Sequence, residues 1–187
     1  SPALASVHSQ VGRLARLTTD LRKLTDLETR PVELQPVDIA ELLVELVEEV
    51  HAAPESAHRS VNVSLPRVPW PLPNVTGDRD LIFLAVHNLL DNALKFSPPD
   101  ARIEVRAFED GPSVAVEVAD TGPGISDEDL PHLGEELYRG SSAPGVEGSG
   151  LGLALVRAIA NQHGGSMAVR SRVGKGTVVT LRFPARP

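Results

Sequence analysis

The sequence predicts an α+β protein, a two-layer α/β sandwich preceded by one long amphipathic helix. Three observations predict this class. Apolar residues recur at helical spacing in four segments, other segments alternate apolar and polar residues as strands do, and the strand segments cluster in hairpins. The chain has 187 residues, of which 41% are hydrophobic, which is enough for one domain with its own core and a helical appendage.

The long helix spans residues 4–28, and its apolar residues recur at heptad spacing. They are Val7, Val11, Leu14, Leu17, Leu21 and Leu24. This seam is typical of a short coiled coil or one arm of a helical bundle; the alternative is a helix packed on its own domain. Pro31 and Pro36 follow, and the residue before a proline is biased away from helix. We therefore predict a first unit at residues 1–30, a linker at 31–37 and a second domain at 38–187.

The second domain begins with a helix at 38–52, because Asp38 is a good N-cap and apolar residues recur at helical spacing after it. Residues 60–65 alternate and predict a strand. The segment 66–74 holds four of the 16 prolines of the chain and is therefore predicted to be an extended loop.

A third helix is predicted at 79–96, with Asp78 as its N-cap. Strands at 102–108 and 113–119 share one alternation, and the Asp110-Gly111 turn between them predicts a hairpin with one buried face.

The remaining elements lie after the second of these strands. In order, they are a short helix at 126–133 capped by Ser126, a Gly-, Ser- and Pro-rich mobile loop at 134–150, a helix at 151–163 ended by two glycines, and strands at 166–172 and 177–183. The two last strands would close the domain around a glycine turn.

Composition excludes several kinds of function. The formal net charge of −7 argues against non-specific binding to nucleic acid, because such binding relies on neutralising phosphates. A nucleotide could still bind with help from Mg²⁺, a few cations and the N–H groups of a helix N-terminus. No cysteine occurs, so disulfides and thiolate metal sites are excluded. The six histidines lack the short paired spacing of a metal site, and surface or packing roles are expected.

The run HNLLDNALKFS at residues 87–97 is the most informative segment. Asn88, Asn92 and Lys95 are spaced i, i+4 and i+7, so on a helix they share one face, while apolar residues occupy the opposite face. Two carboxamides and an ammonium in line suit a metal ion and phosphate oxygens. The alternative is the polar flank of an ordinary amphipathic helix.

Two glycine-rich segments carry further candidate residues. In DTGPG (120–124), the carboxylate can accept a hydrogen bond from an exocyclic amine and the glycines let a ring approach the backbone; the alternative is a tight turn. GSGLG (148–152) lies where a loop meets a helix, and its N–H groups can bind an anion; the alternative is a flexible hinge.

Two better-known phosphate loops do not fit these segments. Gly174-Lys175 is followed by Gly176, whereas a P-loop needs Ser or Thr there and an earlier glycine. Position 155 is Leu where the dinucleotide fingerprint needs a third Gly or Ala, and no strand precedes it.

Together, the three segments resemble the nucleotide-binding boxes of the GHKL superfamily, whose fold is the Bergerat sandwich. The resemblance is closest to the catalytic and ATP-binding domain of bacterial sensor histidine kinases of two-component systems. HNLLDNALKFS is similar to the N-box, DTGPG to the G1 box and GSGLGLALV to the G2 box, and HGG and GKGTVVTLRFP fit the ending of the family. The resemblance covers roughly residues 37–184, and residues 4–28 resemble the second helix of the dimerisation and phosphoacceptor domain.

This resemblance implies a site for ATP and Mg²⁺. Asn92 would coordinate Mg²⁺ through its amide oxygen, Asn88 would lie near the phosphates or the metal, and Lys95 would contact phosphate oxygens. Asn88, Lys95 and Arg139 are the candidate catalytic residues, and Asp120 would bind the adenine amino group. The other implied nucleotide contacts are Phe96, Gly122, Gly124, Ile125, Gly148, Gly150, Leu151 and Gly152.

The resemblance also implies the context of the domain. The expected partners are ATP, the chain's own dimerisation and phosphoacceptor domain and a cognate response regulator, with no nucleic acid and a homodimer in the full-length protein. We expect a cytoplasmic domain of a membrane-bound sensor. The phosphoacceptor histidine is expected outside this chain, because His8 is followed by Ser9-Gln10-Val11 instead of an acidic residue and a Thr/Asn-Pro step.

One segment departs from the pattern of the family. LGEELYRG (133–140) has Gly134 and Leu137 where the family usually has two phenylalanines that anchor the lid. We expect a lid that is more mobile or that docks through Leu133, Leu137 and Tyr138.

Three functions compete at this point. The first is transfer of the ATP γ-phosphate to a histidine of the dimerisation domain, for relay to an aspartate of the response regulator. The second is ATP hydrolysis, which is disfavoured because related hydrolases carry Glu where Asn88 stands here. The third is a nucleotide-binding or dimerisation module with weak or lost kinase activity, as the altered 133–140 segment suggests.

Overall fold

A five-stranded sheet with helices packed on one face forms the main body of the protein. The computed structural model describes residues 2–29, 31–54, 60–65, 71–133, 135 and 150–185, without the side chains at 2–6, 8, 9, 13, 16 and 28 of the first helix. The helices are α1 (Pro2–Thr29), α2 (Ile39–Ala52), α3 (Arg79–Phe96) and α4 (Gly152–Gln162), with a 3₁₀ turn at Leu130–His132. The strands are β1 (Gln35–Val37), β2 (Ser60–Ser64), β3 (Val75–Gly77), β4 (Arg102–Asp110), β5 (Ser113–Asp120), β6 (Ser166–Arg172) and β7 (Gly176–Pro184).

The main sheet has the strand order β2-β4-β5-β7-β6. Strand β2 runs parallel to β4, and the other neighbours are antiparallel. A smaller antiparallel pair joins β1 to β3, with Gln35 opposite Gly77. Helices α2, α3 and α4 pack on one face of the main sheet. The predicted α+β two-layer sandwich with a preceding helix is therefore confirmed.

The core between helices and sheet is almost entirely aliphatic. Its fully buried members include Leu42, Leu43 and Leu46 of α2, Ile82, Val86 and Leu90 of α3, Leu155 and Ile159 of α4, and Ile103, Val116, Leu181 and Phe183 of the sheet. Each such side chain stabilises the fold by roughly 1.5–3 kcal/mol relative to an exposed position. Helix α3 has the predicted bounds, and the Asp78 carboxylate accepts hydrogen bonds from the N–H groups of Asp80 and Leu81 as its N-cap.

The opposite face of the main sheet carries a charged cluster at its centre. Glu117 on β5 is only 5% exposed. Its carboxylate accepts hydrogen bonds from Arg106 on β4 at 2.7 Å, from Arg170 on β6 at 3.2 Å and from the Thr180 hydroxyl on β7 at 3.0 Å. One buried carboxylate thus ties together four adjacent strands.

Two regions differ from the sequence predictions. Residues 35–37, within the predicted linker, form β1 and pair with β3, and neither strand was predicted. The short helix predicted at 126–133 is wrong in extent, since only a 3₁₀ turn at Leu130–His132 forms. The Ser126 hydroxyl does accept a hydrogen bond from the Asp129 N–H, but Pro131 has no N–H with which to continue an α-helical ladder.

Helix α1 is exposed along most of the predicted seam. Val7, Val11, Leu14 and Leu21 are 50–62% exposed, whereas Leu27 near the C-terminal end is buried against the domain. None of the helices in the described part of the chain is long and apolar enough to cross a membrane.

We expect Leu90→Ala to lower the free energy of unfolding by about 2–5 kcal/mol, because it leaves a cavity in the core beneath α3. Leu90 is 0% exposed, whereas Leu34 is 61% exposed and supplies a matched control. Leu34→Ala should change the free energy of unfolding by no more than about 0.5 kcal/mol. Urea unfolding of both variants tests this, and equal losses would contradict the assigned core.

Candidate functional site

The polar face of α3 meets the first residue of α4. Because the apolar face of α3 is buried, Asn88 and Asn92 are turned toward the start of α4. A Cβ atom placed on Gly152 would lie 3.7 Å from the Asn88 Oδ1 atom and 3.7 Å from the Asn92 Nδ2 atom. The Asn88 Nδ2 group donates a hydrogen bond to the Leu84 carbonyl at 2.8 Å, so the oxygen of this amide is the atom that faces α4.

The N-terminus of α4 offers N–H groups at the same place. Leu151 is the N-cap residue and is buried. Leu155 begins the helical ladder by donating to the Leu151 carbonyl at 2.9 Å. The earlier N–H groups of a helix lack partners within the helix and carry its positive dipole end, so an anion is stabilised there. Gly150 and Gly152 flank Leu151 without a side chain that would block this approach.

Asp120 lies at the end of β5, where three groups hold its carboxylate. It accepts hydrogen bonds from the Gly122 N–H at 2.8 Å, from the Ser97 hydroxyl and from the Thr177 N–H. Burial raises the pKa of the Asp120 carboxyl above its ordinary value, and the three hydrogen bonds oppose that rise. The carboxylate is thus held in one orientation in a partly dry environment, which suits an acceptor that selects one donor of a ligand.

The turn after Asp120 is fixed to the turn that joins β6 to β7. Gly124 has φ of +74°, and a Cβ atom there would lie 2.2 Å from the Arg172 carbonyl oxygen, so a larger residue would force the two turns apart. The Ile125 N–H donates to the Ser171 hydroxyl at 2.8 Å. These contacts make a rigid wall on which a flat ring can rest.

Lys95 and Phe96 lie at the C-terminal end of α3. The Lys95 ammonium is 3.3 Å from the Asp91 carboxylate in an exposed pair, and no described contact joins it to Asn88 or Asn92. Such an exposed pair contributes at most about 0.5 kcal/mol, so the ammonium can leave Asp91 for a ligand. Phe96 is 42% exposed and offers its ring to a ligand.

Two predicted site residues, Arg139 and Gly148, lie outside the described residues, as do Leu137 and Tyr138 of the predicted lid segment. Leu133 is described, and it is buried with its carbonyl accepting a hydrogen bond from the Arg157 guanidinium. The start of that segment is therefore docked on α4.

A metal ion at this site would need amide and ligand oxygens. Among the described residues, no group of three or more His, Cys, Asp or Glu side chains is arranged to hold a metal. The amide oxygens of Asn88 and Asn92 are hard donors of the kind that Mg²⁺ accepts, and Mg²⁺ commonly completes its shell with water and substrate phosphates. The residues therefore fit Mg²⁺ bound together with a phosphate ligand.

The sequence interpretation missed two residues that orient Asp120. Ser97 closes the HNLLDNALKFS run, and its place at the end of that run could have indicated a role. Thr177 gives no such signal, because its place opposite Asp120 depends on the pairing of β5 with β7.

Known proteins match this chain over most of its length. Residues 77–187 match the family described as histidine kinase-, DNA gyrase B-, and HSP90-like ATPase. The chain is 37% identical over 186 residues to the signal transduction histidine-protein kinase/phosphatase MprB of Mycobacterium ulcerans (strain Agy99). This alignment covers 97% of this chain and 35% of that protein. The chain therefore spans about a third of the length of such curated relatives.

Solved structures give the same result. The mycobacterial sensor histidine kinase MprB is similar with a TM-score of 0.70 and 31% identity, over 82% of this chain and 99% of that one. Full-length ShkA in complex with AMPPNP is similar with a TM-score of 0.76 and 27% identity, over 98% of this chain and 38% of that one. With its three motifs in order on a matching sandwich, the chain belongs to the histidine kinase-, DNA gyrase B- and HSP90-like ATPase family, among the bacterial sensor histidine kinases.

Proposed function

We propose that this chain is the catalytic and ATP-binding part of a sensor histidine kinase. It binds ATP with Mg²⁺ and transfers the γ-phosphoryl group to a histidine of the dimerisation domain, from which an aspartate of a response regulator receives it. The observation that carries this proposal is the approach of Gly152, at the start of α4, to the amides of Asn88 and Asn92. This approach brings neutral oxygen donors and helix N–H groups to one place, as a metal-bound polyphosphate requires.

The phosphates would lie between α3 and the N-terminus of α4. Asn92, with Asn88 beside it, would hold Mg²⁺ through amide oxygens, and the bound ion would neutralise phosphate charge. The N–H groups of residues 150–152 would bind phosphate oxygens, and Lys95 would leave Asp91 to add a positive charge. We also assign Gly148 and Arg139 to this end of the nucleotide.

The adenine would lie at the opposite end of the site, against Asp120. Its amino group would donate to the oriented carboxylate, while Gly122, Gly124 and Ile125 form the wall and Phe96 packs beside the nucleotide. Phosphoryl transfer needs mainly positioning and charge stabilisation, so a site without a strong base suits it.

The exposed seam of α1 supports a homodimer in the full-length protein. Four large apolar side chains (Val7, Val11, Leu14 and Leu21) are 50–62% exposed at coiled-coil spacing, which favours pairing with another helix. We assign residues 1–30 to the dimerisation domain, 31–37 to a linker and 38–187 to the catalytic domain, and we place the chain on the cytoplasmic side of a membrane-bound sensor.

Transfer to a separate acceptor tests the function directly. This chain is mixed with labelled ATP, Mg²⁺ and a dimerisation domain that carries the phosphoacceptor histidine. We expect acid-labile label on that domain and none on this chain alone. Binding without transfer would favour the nucleotide-binding module, release of phosphate alone would favour a hydrolase, and stable phosphohistidine at His8 would refute the assignment of the acceptor elsewhere.

Asn92→Asp should weaken Mg²⁺-ATP binding by about tenfold or more, the factor that corresponds to 1.4 kcal/mol, because it places a negative charge beside the phosphates. Calorimetric titration measures the affinity, and thermal unfolding should show an intact fold. Asn161→Asp is the matched control, because Asn161 is an exposed amide at the end of α4 opposite Gly152. Equal affinities for the Asn92→Asp variant and the unaltered chain would remove Asn92 from the site.

Affinity for ATP should fall as the pH falls through the raised pKa of Asp120, because only the ionised carboxylate accepts the amino proton fully. Ser97→Ala removes a hydrogen bond that favours the ionised form, so its midpoint should move to higher pH. Ser113→Ala is the control: Ser113 lies on β5 with Asp120, at the other end of the strand, and its removal should leave the midpoint unchanged. Titration of ATP affinity against pH measures both, and an affinity independent of pH would exclude Asp120 as the acceptor.

The ionised Asp120 carboxylate should favour ATP binding but lower the free energy of unfolding. A carboxyl whose pKa is higher in the folded chain than in the unfolded chain contributes stability that is fully present below the unfolded pKa and lost as the pH rises through the folded pKa. At neutral pH the free energy of unfolding of Asp120→Asn should therefore equal or exceed that of the unaltered chain, even though ATP binding is weakened. Urea unfolding at pH 7 checks this, and a large loss of stability would contradict it.

A further inference from the structure

The N-cap of α3 makes contacts beyond those of an ordinary cap. Asp78 is 4% exposed. Its Oδ1 atom accepts hydrogen bonds from the N–H groups of Asp80 and Leu81 at 3.1 and 3.2 Å. Its Oδ2 atom accepts a further hydrogen bond from the Glu33 N–H at 3.3 Å. One carboxylate therefore holds both the start of α3 and the segment that follows α1.

The backbone of Asp78 is bound to the end of α4. Its N–H donates to the Nε2 atom of the buried His163 at 3.0 Å. Because Nε2 accepts this bond, the ring proton lies on Nδ1, which is 2.7 Å from the Ile159 carbonyl and donates to it. The residue before Asp78 is glycine for a steric reason, since a Cβ atom on Gly77 would lie 2.7 Å from the His163 Cδ2 atom.

The end of α4 and the start of α3 also contact α1 and the segment that follows it. The Gln162 side-chain amide, next to His163, donates to the Leu27 carbonyl of α1. Strand β1 pairs with β3, so the chain from Glu33 to Val37 runs along the residues that lead into Asp78. Contacts from α1 and from the 31–37 segment thus converge on the start of α3 and the end of α4.

We propose that Asp78 is a positioning residue that couples the 31–37 segment to the nucleotide site. This inference rests on the proposed function. Asn88 lies ten residues after Asp78 on α3, about 15 Å along a continuous helix at the usual rise per residue. Gly152 and His163 stand at opposite ends of α4. The Asp78–His163 bond therefore fixes both helices at one end, and the gap between Asn88, Asn92 and Gly152 at the other end depends on it.

Coupling of this kind is reciprocal. If docking of the 31–37 segment on Asp78 favours the spacing that binds nucleotide, nucleotide must favour docking by the same free energy. The described hydrogen bond that links the segment to this cap is that from the Glu33 N–H to the Asp78 carboxylate. A change in α1 that pulls on the segment would then alter nucleotide affinity without touching a nucleotide contact.

Two variants remove this bond from opposite sides. Asp78→Asn keeps an oxygen for the cap of α3, and Asn is as good an N-cap as Asp. The second carboxylate oxygen is replaced by an NH₂ group, which cannot accept the Glu33 N–H. Glu33→Pro removes the N–H and leaves Asp78 unchanged. Asp38→Asn is the control, because Asp38 is an exposed N-cap of α2 whose carboxylate accepts from the Glu41 N–H.

Both variants should bind Mg²⁺-AMPPNP about fivefold or more weakly, the low end of the usual coupling range. The double variant should lose no more than either single one, because both remove the same bond. Hydrogen exchange of residues 31–37 should slow on addition of Mg²⁺-AMPPNP in the unaltered chain and in Asp38→Asn, but in neither Asp78→Asn nor Glu33→Pro. Unchanged affinity in both variants, or slowing that persists in them, would overturn the proposal.

Exchange without nucleotide separates this inference from the proposed function. Failure of the unaltered chain to bind Mg²⁺-AMPPNP would refute the proposed function alone. The coupling is then decided by the nucleotide-free variants, in which exchange at residues 88–95 and 152–156 should rise as well as exchange at the amides that remain in residues 31–37. A rise confined to residues 31–37 would show a local hydrogen bond only and would overturn the proposal.

Discussion

The burial of one face of α3 decides where its other face points. Ile82, Val86 and Leu90 are fully buried between the sheet and the neighbouring helices, and each stabilises the fold by roughly 1.5–3 kcal/mol. Rotation of α3 about its axis would expose these side chains, so its orientation is fixed by a free energy much larger than that of any polar contact at the site. The orientation of α3 therefore determines where Asn88 and Asn92 point. Helix α4 packs on the same core, and this places its first residue beside them.

The polar groups of the site are held by different means. Asp120 is fixed by three hydrogen bonds at a partly buried strand end, and the Asn88 amide is fixed by a hydrogen bond to its own helix. Lys95 is held only by an exposed pair with Asp91. The Asp120 carboxylate and the Asn88 amide are therefore preorganised, whereas the Lys95 ammonium must leave Asp91 before it can contact a ligand. Salt should weaken the Lys95–Asp91 pair far more than the buried contacts of Asp120.

Most of the fold could be predicted because its signals are local. The bounds of α3 follow from Asp78 before it and from the period of its apolar residues, and the β4–β5 hairpin follows from alternation around one turn. Strands β1 and β3 could not be predicted, because three residues are too few to show alternation and their pairing joins segments about 40 residues apart. Pro131 limited the predicted helix at 126–133 to one 3₁₀ turn, whose N-cap is Asp129, although the Ser126 hydroxyl does accept a hydrogen bond from the Asp129 N–H.

Only part of the site could be predicted, because some of its residues give a local signal and others are brought together only by the fold. The helical spacing of Asn88 and Asn92 is a local signal, and the structure brings both to Gly152. The support of Asp120 by Thr177 and the bond between Asp78 and His163 join residues far apart in sequence, and only the folded chain brings them together. The assignment of individual residues to ATP and Mg²⁺ stays a prediction, including that of Arg139 and Gly148.

The buried Glu117 has a consequence for how the chain folds. Strands β5 and β7 must find each other across 63 residues, as the separation of Glu117 from Thr180 shows, and pairing over such distances is slow. Because side chains alternate between faces, a slip of β5 by one residue would turn Glu117 into the aliphatic core and away from both arginines. An unpaired buried carboxylate costs several kcal/mol, so misaligned sheets are penalised during assembly. The charged cluster therefore discriminates against wrong strand alignments.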